Sequence, residues 1–320
     1  MKKNNIGSMI LRRLFQSVII LFIVTLIVFL LMQLVPGDPI VNYLGSNASA
    51  EQIQHYTQLY GFDQPAIVQY AKWVMGLFQG QMGHSVTYNK EVSEIIFTRL
   101  GTTLMVVLPA FVIAVVLGVF FGIIAALNRG KAIDSVISII ANAGMAMPLF
   151  WIGIIAILIF ALNLKWLPVQ GYVPLSQNVG QWLRHLVMPV CILALGPIAQ
   201  FTRQTRSSML EVVRQDYVRT AQAKGLDRNS IIFKHALRNA LIPVITVMGV
   251  QLGGMIGGTV LVESIFNING LGNLMITAIQ SKDYMVVENS VFLIACAVAI
   301  CNLFVDILYG IIDPRIRSER

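Results

Sequence analysis

Six apolar runs, each long enough to cross a bilayer, decide what this chain can fold into. They cover residues 14–34, 103–127, 136–162, 186–205, 241–262 and 287–311, and about 20 apolar residues suffice for one helical crossing. Of the 320 residues 56% are hydrophobic and 12% charged, against about 25% charged in a soluble domain. A soluble fold of this length has no way to bury that much apolar surface. The expectation is an all-α membrane protein with six transmembrane helices. The first run follows Lys2, Lys3, Arg12 and Arg13. It is longer than the roughly 7–15 residues of a signal-peptide core, and no small-residue cleavage site follows it, so it is expected to stay as a span.

The formal net charge of +8 would suggest nucleic acid in a soluble protein. Here it follows from topology, and no nucleic-acid partner is expected. With the N-terminus in the cytoplasm, all Lys and Arg residues except Lys72, Lys90, Arg99, Lys165, Arg184 and Lys282 fall in inner segments, as the positive-inside rule asks. Both termini are therefore expected inside, in a multi-pass protein of the bacterial cytoplasmic (inner) membrane. Three regions result: residues 1–35 with the tail and first span, an outer segment 36–99, and a five-helix core 100–320.

The outer segment has helical punctuation of its own. Ser49 and Gln52 have capping-box spacing ahead of a helix that stops near Gly61, and Pro65 suits the start of another that runs towards Phe78. This predicts a helical cap between spans 1 and 2, either a lid or a docking surface for a soluble partner. After the fifth span, the apolar stretch 271–279 is too short to cross, which predicts an interfacial or re-entrant helix.

Inside the spans, Gly249, Gly253 and Gly257 recur every four residues, and Gly118 and Gly122 do so once; such stripes let helices approach closely in lipid. They serve either packing within one subunit or a subunit interface. Glu263, at the end of the fifth span, is the leading buried-charge candidate because ionisable groups inside a membrane are costly. Its alternatives are a pathway role or pairing with backbone or Lys282. Glu263, Gly253 and Gly257 are the pathway or gate candidates. Cys191, Cys296 and Cys301 lie in apolar runs without metal spacing and are expected to pack.

The basic stretch 203–240 lies between spans four and five. Leu210, Val213, Tyr217 and Ala221 suggest one apolar helical stripe, Gly225 a left-handed stop, Asp227 the next cap, and Ile232, Ala236 and Ala240 a second stripe. The result would be two short amphipathic helices hinged at Gly225. A surface helix pair on anionic lipid is the plain alternative. Against it stand Glu211, Asp216 and Asp227, mixed among the bases.

Arg219-Thr220-Ala221-Gln222-Ala223-Lys224-Gly225 resembles the EAA-x-x-x-G coupling loop of ABC importer permeases. More narrowly, QDYVRTAQAKGL followed by KHALRNALIPVIT is similar to the dipeptide/oligopeptide/nickel permease family. Pro36-Gly37-Asp38-Pro39, Gly61-Phe62-Asp63-Gln64-Pro65, Gly270-Leu271-Gly272 and Asp313-Pro314-Arg315 extend the likeness over nearly the whole chain. Arg219 stands where the general loop has glutamate. The later leucine-proline pair is replaced by Leu237-Arg238, with a proline only at Pro243; both departures resemble the peptide branch. The resemblance implies a type I importer fold and an ATPase-coupling role for Arg219, Thr220, Ala221, Gln222, Ala223, Lys224, Gly225 and Leu226. It also implies a second homologous permease, two cytoplasmic ABC ATPase subunits that bind the ATP and Mg, and an external solute-binding protein.

No nucleotide-binding G-x-x-x-x-G-K-[ST] occurs, so no cofactor is expected in this chain. The scattered His55, His84, His185 and His235, without H-E-x-x-H or G-x-S-x-G, predict neither a catalytic nor a metal site. Short peptides are the leading substrate class. Nickel or metal–chelator complexes, glutathione, opine-like compounds and, more distantly, a passive channel are the alternatives.

Overall fold

A computed structural model describes residues 6–37, 39–44 and 48–312. Lys2, Lys3, Asp38, the 313–315 stretch, Arg317 and Arg320 lie outside the described residues, as does the side chain of Asp306.

The chain opens with α1 (Ile6–Leu34) and turns through α2 (Pro39–Leu44) into two short helices, α3 (Ala50–Tyr60) and α4 (Ala66–Phe78). The expected capping box is present. The Ser49 side chain accepts from the Gln52 N–H, and the Gln52 side chain accepts from the Ser49 N–H. Gly61 ends α3 at φ 74°, a conformation that costs glycine little, and α4 starts directly after Pro65. A two-residue hairpin, β1 (His84–Ser85) with β2 (Lys90–Glu91), follows; its strands are too short to leave a periodic signal.

Next comes α5 (Val92–Leu127), whose 36 residues begin well before the expected start at 103. The last residues of the outer segment, 92–99, are thus the first turns of the helix that carries the second span. The expected third span, 136–162, is not one helix. It is α6 (Ala132–Ala146) and α7 (Leu149–Ala156, continued by a π-helical turn Ile157–Asn163), bent by 102°. The cause is local. Pro148 has no N–H to continue α6 and pushes the residue before it out of the helical region, and Met147 is accordingly extended at φ −81°, ψ 131°.

α8 (Val179–Val212) is the central helix: 56% of its most apolar window is buried, against 17% for α1. The contrast separates a helix enclosed by neighbours of its own chain from one that packs on a single side. Val106, Val107, Ala110 and Ala114 of α5 meet Leu193, Ala194 and Phe201 of α8 in the main core. Close approach depends on two glycines. A Cβ at Gly118 would lie 2.5 Å from Phe201 Cβ, and one at Gly122 would lie 2.5 Å from Thr205 Cβ and 2.8 Å from the Thr202 carbonyl.

Beyond α8 lie α9 (Asp216–Ala223), α10 (Arg228–Ser230), a π turn Ile231–Ala236 and α11 (Leu237–Ile265). From Ile231 to Ile265 the helix is long and apolar enough to span in one piece. The second helix of the basic stretch is therefore the foot of the fifth span, not a separate short helix. The described residues end with the short α12 (Leu271–Ser281) and with α13 (Tyr284–Ile312). Among the described residues five helices are membrane-length, or six if the bent pair is counted as one broken span. Gly249 and Gly253 serve packing within the subunit: added Cβ atoms would lie 2.5 Å and 3.1 Å from Val305 and Val298 of α13. Nothing lies within 4 Å of such an atom at Gly257. Cys296 and Cys301 are partly enclosed, whereas Cys191 is exposed on α8 and does not pack as expected.

Candidate functional site

Residues 209–240, at the end of the molecule away from α3 and α4, form a compact knot. The expected stripe of Leu210, Val213, Tyr217 and Ala221 is cut in two, because α8 stops at Val212 and a turn precedes α9. On α9 the buried side chains are Val218 and Ala221, which close against Ile231 and Val212; Tyr217 is exposed. The break at 213–215 turns α9 relative to α8, so that Val218 takes the inward place expected of Tyr217. The second stripe stands as expected: Ile232, Ala236 and Ala240 are buried with Met209 beneath Ala126 and Leu127 of α5.

The hinge is a Schellman turn. Gly225 sits at φ 75°, its N–H donates to the Gln222 carbonyl, and the Leu226 N–H donates to the Ala221 carbonyl. This is how a left-handed glycine satisfies the last helical carbonyls. Asp227 Oδ2 then accepts from the Ser230 N–H at 2.9 Å, the cap expected of it. Of the eight candidate coupling residues Ala221 alone is buried; Arg219, Thr220, Gln222, Ala223, Lys224, Gly225 and Leu226 are exposed. The knot is thus anchored by one small apolar face to two spans and presents the rest of its surface outward.

A clasp that sequence inspection missed lies above it. Arg206 of α8 donates through Nε and Nη2 to both carboxylate oxygens of Asp134, at 2.6 and 2.8 Å, and Asp134 also accepts from the Gly130 N–H. Asp134 is 5% exposed. Two-point Arg–carboxylate pairing is strong and directional, and it ties the start of the bent pair to the helix that delivers α9. The partners lie 72 positions apart, so no local spacing announces them.

At the opposite end, Glu263 is fully buried and its carboxylate accepts from one side chain and from backbone. Thr103 Oγ1 donates to its Oε1 at 2.6 Å, the Asn273 N–H donates to its Oε2 at 2.9 Å, and Thr103 Oγ1 in turn accepts from the Leu271 N–H. The first turn of α12, whose N–H groups have no partners within the helix, is thereby capped by side chains of α11 and α5. Lys282 is not the partner; it donates to the Pro36 carbonyl. The glycines of Gly270-Leu271-Gly272 are steric necessities. A Cβ at Gly270 would overlap the Glu263 carboxylate, and one at Gly272 would lie 2.7 Å from Val260 Cα. Glu263→Ala strips acceptors from several buried donors, at about 1–3 kcal/mol each. We expect about 3 kcal/mol lost for Glu263→Ala and under half of that for Glu263→Gln, read as thermal unfolding in nanodiscs. Equal losses would mean that the hydrogen bonds are not what holds α12.

Comparison with known proteins then fixes the family. Residues 118–318 match the model for the binding-protein-dependent transport system inner membrane component, and residues 7–108 match the N-terminal model of the same systems. The chain belongs to this family. It is 40% identical over 312 residues to a putative peptide transport system permease protein of Brucella abortus (strain 2308), covering 98% of this chain and 99% of the relative. It is 42% identical over 335 residues to the di/tripeptide transport system permease protein DppB of Pseudomonas aeruginosa (strain UCBPP-PA14), covering 98% and 99%. With the oligopeptide transport system permease protein AppB of Bacillus subtilis (strain 168) the identity is 39%, covering 97% and 99%. Among solved structures, the inward-facing MetNI methionine ABC transporter superposes with a TM-score of 0.57 at 16% identity, covering 68% of this chain and 96% of that one. The permease thus has the fold of an ABC transporter membrane subunit and is a multi-pass inner membrane protein.

Within the permease, the coupling candidates are contiguous and share one exposed knot, while the gate candidates are separate. Gly253 lies against α13 and Glu263 under α12, and Gly257 faces open space on α11.

Proposed function

We propose that this permease is one of two homologous membrane subunits of an ATP-driven importer for short peptides. In this proposal α9 and both termini face the cytoplasm, two ATPase subunits bind and hydrolyse the ATP, and an external binding protein delivers the peptide. The observation that carries it is the exposed, Schellman-capped knot at 216–226, hung on two spans at the end of the bundle where the basic residues gather. The peptide class rests on relatives about 40% identical over nearly their whole length that carry peptide-transport names.

Closure of the ATPases would push α9. The push would reach α11 through the Val218–Ala221–Ile231 contact and the bent pair through α8 and the Arg206–Asp134 clasp. A two-point pair between an enclosed carboxylate and a partly exposed guanidinium transmits displacement because both of its hydrogen bonds are directional. Gly257 and its open face are the pathway candidates; Glu263 holds α12 beside them.

The test is uptake by the assembled transporter in proteoliposomes. Labelled di- and tripeptides are expected to accumulate only with ATP inside the ATPase compartment and with binding protein present. Accumulation of a nickel chelate or glutathione in place of peptides would overturn the substrate class. Peptide flux without ATP would overturn the coupling.

A further inference from the structure

The helix α4 combines three surfaces that a water-exposed cap helix has no use for. Tyr70, Trp73, Val74 and Leu77 pack on Val28 and Phe29 of α1 and on Val291 and Phe292 of α13. The adjacent face carries Ile67, Met75 and Phe78, which are 83%, 57% and 88% exposed. Gln69 and Lys72 form a narrow polar stripe between them, and Lys72 is the one charged residue in the 13. By contrast α3, AEQIQHYTQLY, is polar around most of its circumference and buries no side chain. Large apolar groups gathered on one exposed helix face mark an interaction surface.

What covers that face follows from depth. Tyr70 hydrogen-bonds Thr25 at 3.1 Å, and Phe29 stacks on Trp73 with ring centroids 6.5 Å apart. Thr25 lies nine positions inside the end of α1 at Leu34, about 14 Å at 1.5 Å per residue. Arg12 and Arg13 flank the other end of the run, and a hydrocarbon core of about 30 Å measured from them ends near Gln33. A second helix gives the same depth independently. Trp73 donates to Asn289, and Phe292 packs beside it; these sit about 8 and 12 Å below the start of α13 at Tyr284. The helix α4 therefore lies beside the spans and not above them. Its exposed stripe lies beside the exposed apolar surface of α1, where Ile27, Leu30 and Leu31 are each about half exposed.

We propose that α4 is an in-plane helix embedded in the leaflet at the cap end, and that Ile67, Met75 and Phe78 contact acyl chains. Its polar stripe then lies at headgroup level, as for other interfacial helices. This holds whichever solute is carried and whichever way the chain is oriented. It also removes α4 from any surface offered to a soluble binding protein, leaving α3 and the hairpin for that purpose.

The experiment places bimane at Met75→Cys and Phe78→Cys in a chain whose three cysteines are serine. The chain is assembled in the transporter and reconstituted in phosphatidylcholine vesicles with or without brominated acyl chains. Bromine is expected to lower bimane emission at both positions by at least about twofold while aqueous iodide leaves it unchanged. Glu51→Cys on α3 is expected to behave the opposite way. Quenching of 75 and 78 by iodide and not by bromine would overturn the proposal, and relief of that quenching by added binding protein would name a protein occupant instead. Hydroxyl-radical labelling of the unsubstituted transporter in nanodiscs needs no variant to fold. With each rate divided by the intrinsic reactivity of its side chain towards the radical, Met75 is expected to oxidise more slowly than Leu59 of α3, which is 63% exposed; equal or faster normalised oxidation of Met75 would overturn the proposal.

Discussion

Gly122→Leu is expected to remove the folded permease from the membrane. The first atom of the new side chain would already sit 2.5 Å from Thr205 Cβ and 2.8 Å from the Thr202 carbonyl. The second of these is backbone and cannot swing aside. Relief requires α5 and α8 to separate, and their contact is the main core of the fold. Overpacking a close contact costs about 1–3 kcal/mol and occasionally more, and membrane helices associate chiefly through such close packing. A loss of about 3 kcal/mol lowers the folded-to-unfolded ratio roughly a hundredfold, and a clash that the backbone cannot relieve adds to it. The monodisperse peak on fluorescence-detected size exclusion should therefore nearly vanish, and for Gly122→Ala it should shrink. Gly257→Leu is the matched control, since nothing lies within 4 Å there. Its peak is expected to equal that of the unsubstituted chain, and its uptake then reports whether the open face carries solute. A normal peak for Gly122→Leu would show that the α5–α8 approach is not needed.

Leu226→Asp is expected to leave the fold alone and abolish coupling. Leu226 is 43% exposed, so the chain itself loses little when it becomes charged. If an ATPase covers it, an unpaired carboxylate is left in the interface, and truncated or unmatched buried charges cost about 2–5 kcal/mol. Peptide uptake and binding-protein-stimulated ATP hydrolysis should both fall more than tenfold, with basal ATPase and folded yield kept. Gly225→Val tests the geometry of the same knot. Nothing surrounds that position, but its φ of 75° disfavours an L side chain by about 1–2 kcal/mol. The Schellman turn should open and carry α9 away from Ile231. Full coupled uptake in both variants would mean that this knot does not receive the ATPases.

How much of this was legible beforehand depended on the range of the forces involved. The capping box at Ser49, the stop at Gly61, the stop at Gly225 and the cap at Asp227 were all readable, because each is settled within four or five residues. The second stripe of the basic stretch was readable because helical periodicity is local as well. The first stripe was not, since the break after Val212 rotates α9 relative to α8. Hydropathy predicts a continuous third span because it ignores the missing N–H of Pro148, the one local sign of the bend. Glu263 could be singled out as a buried charge, but its partners Thr103 and Asn273 could not be named.

The sequence by itself determined the solvent, the apolar runs, the hinge glycine and the family, because apolar run length, φ preference and motif spacing are properties of short stretches. Tertiary structure alone decided which glycines touch and that Asp134 meets Arg206. It alone decided that Glu263 caps another helix, and that α4 lies beside the spans at the depth of Thr25 and Asn289. Those facts belong to pairs of residues between 10 and 216 positions apart. Burial in a bundle brings such pairs together, and no local pattern records which ones meet.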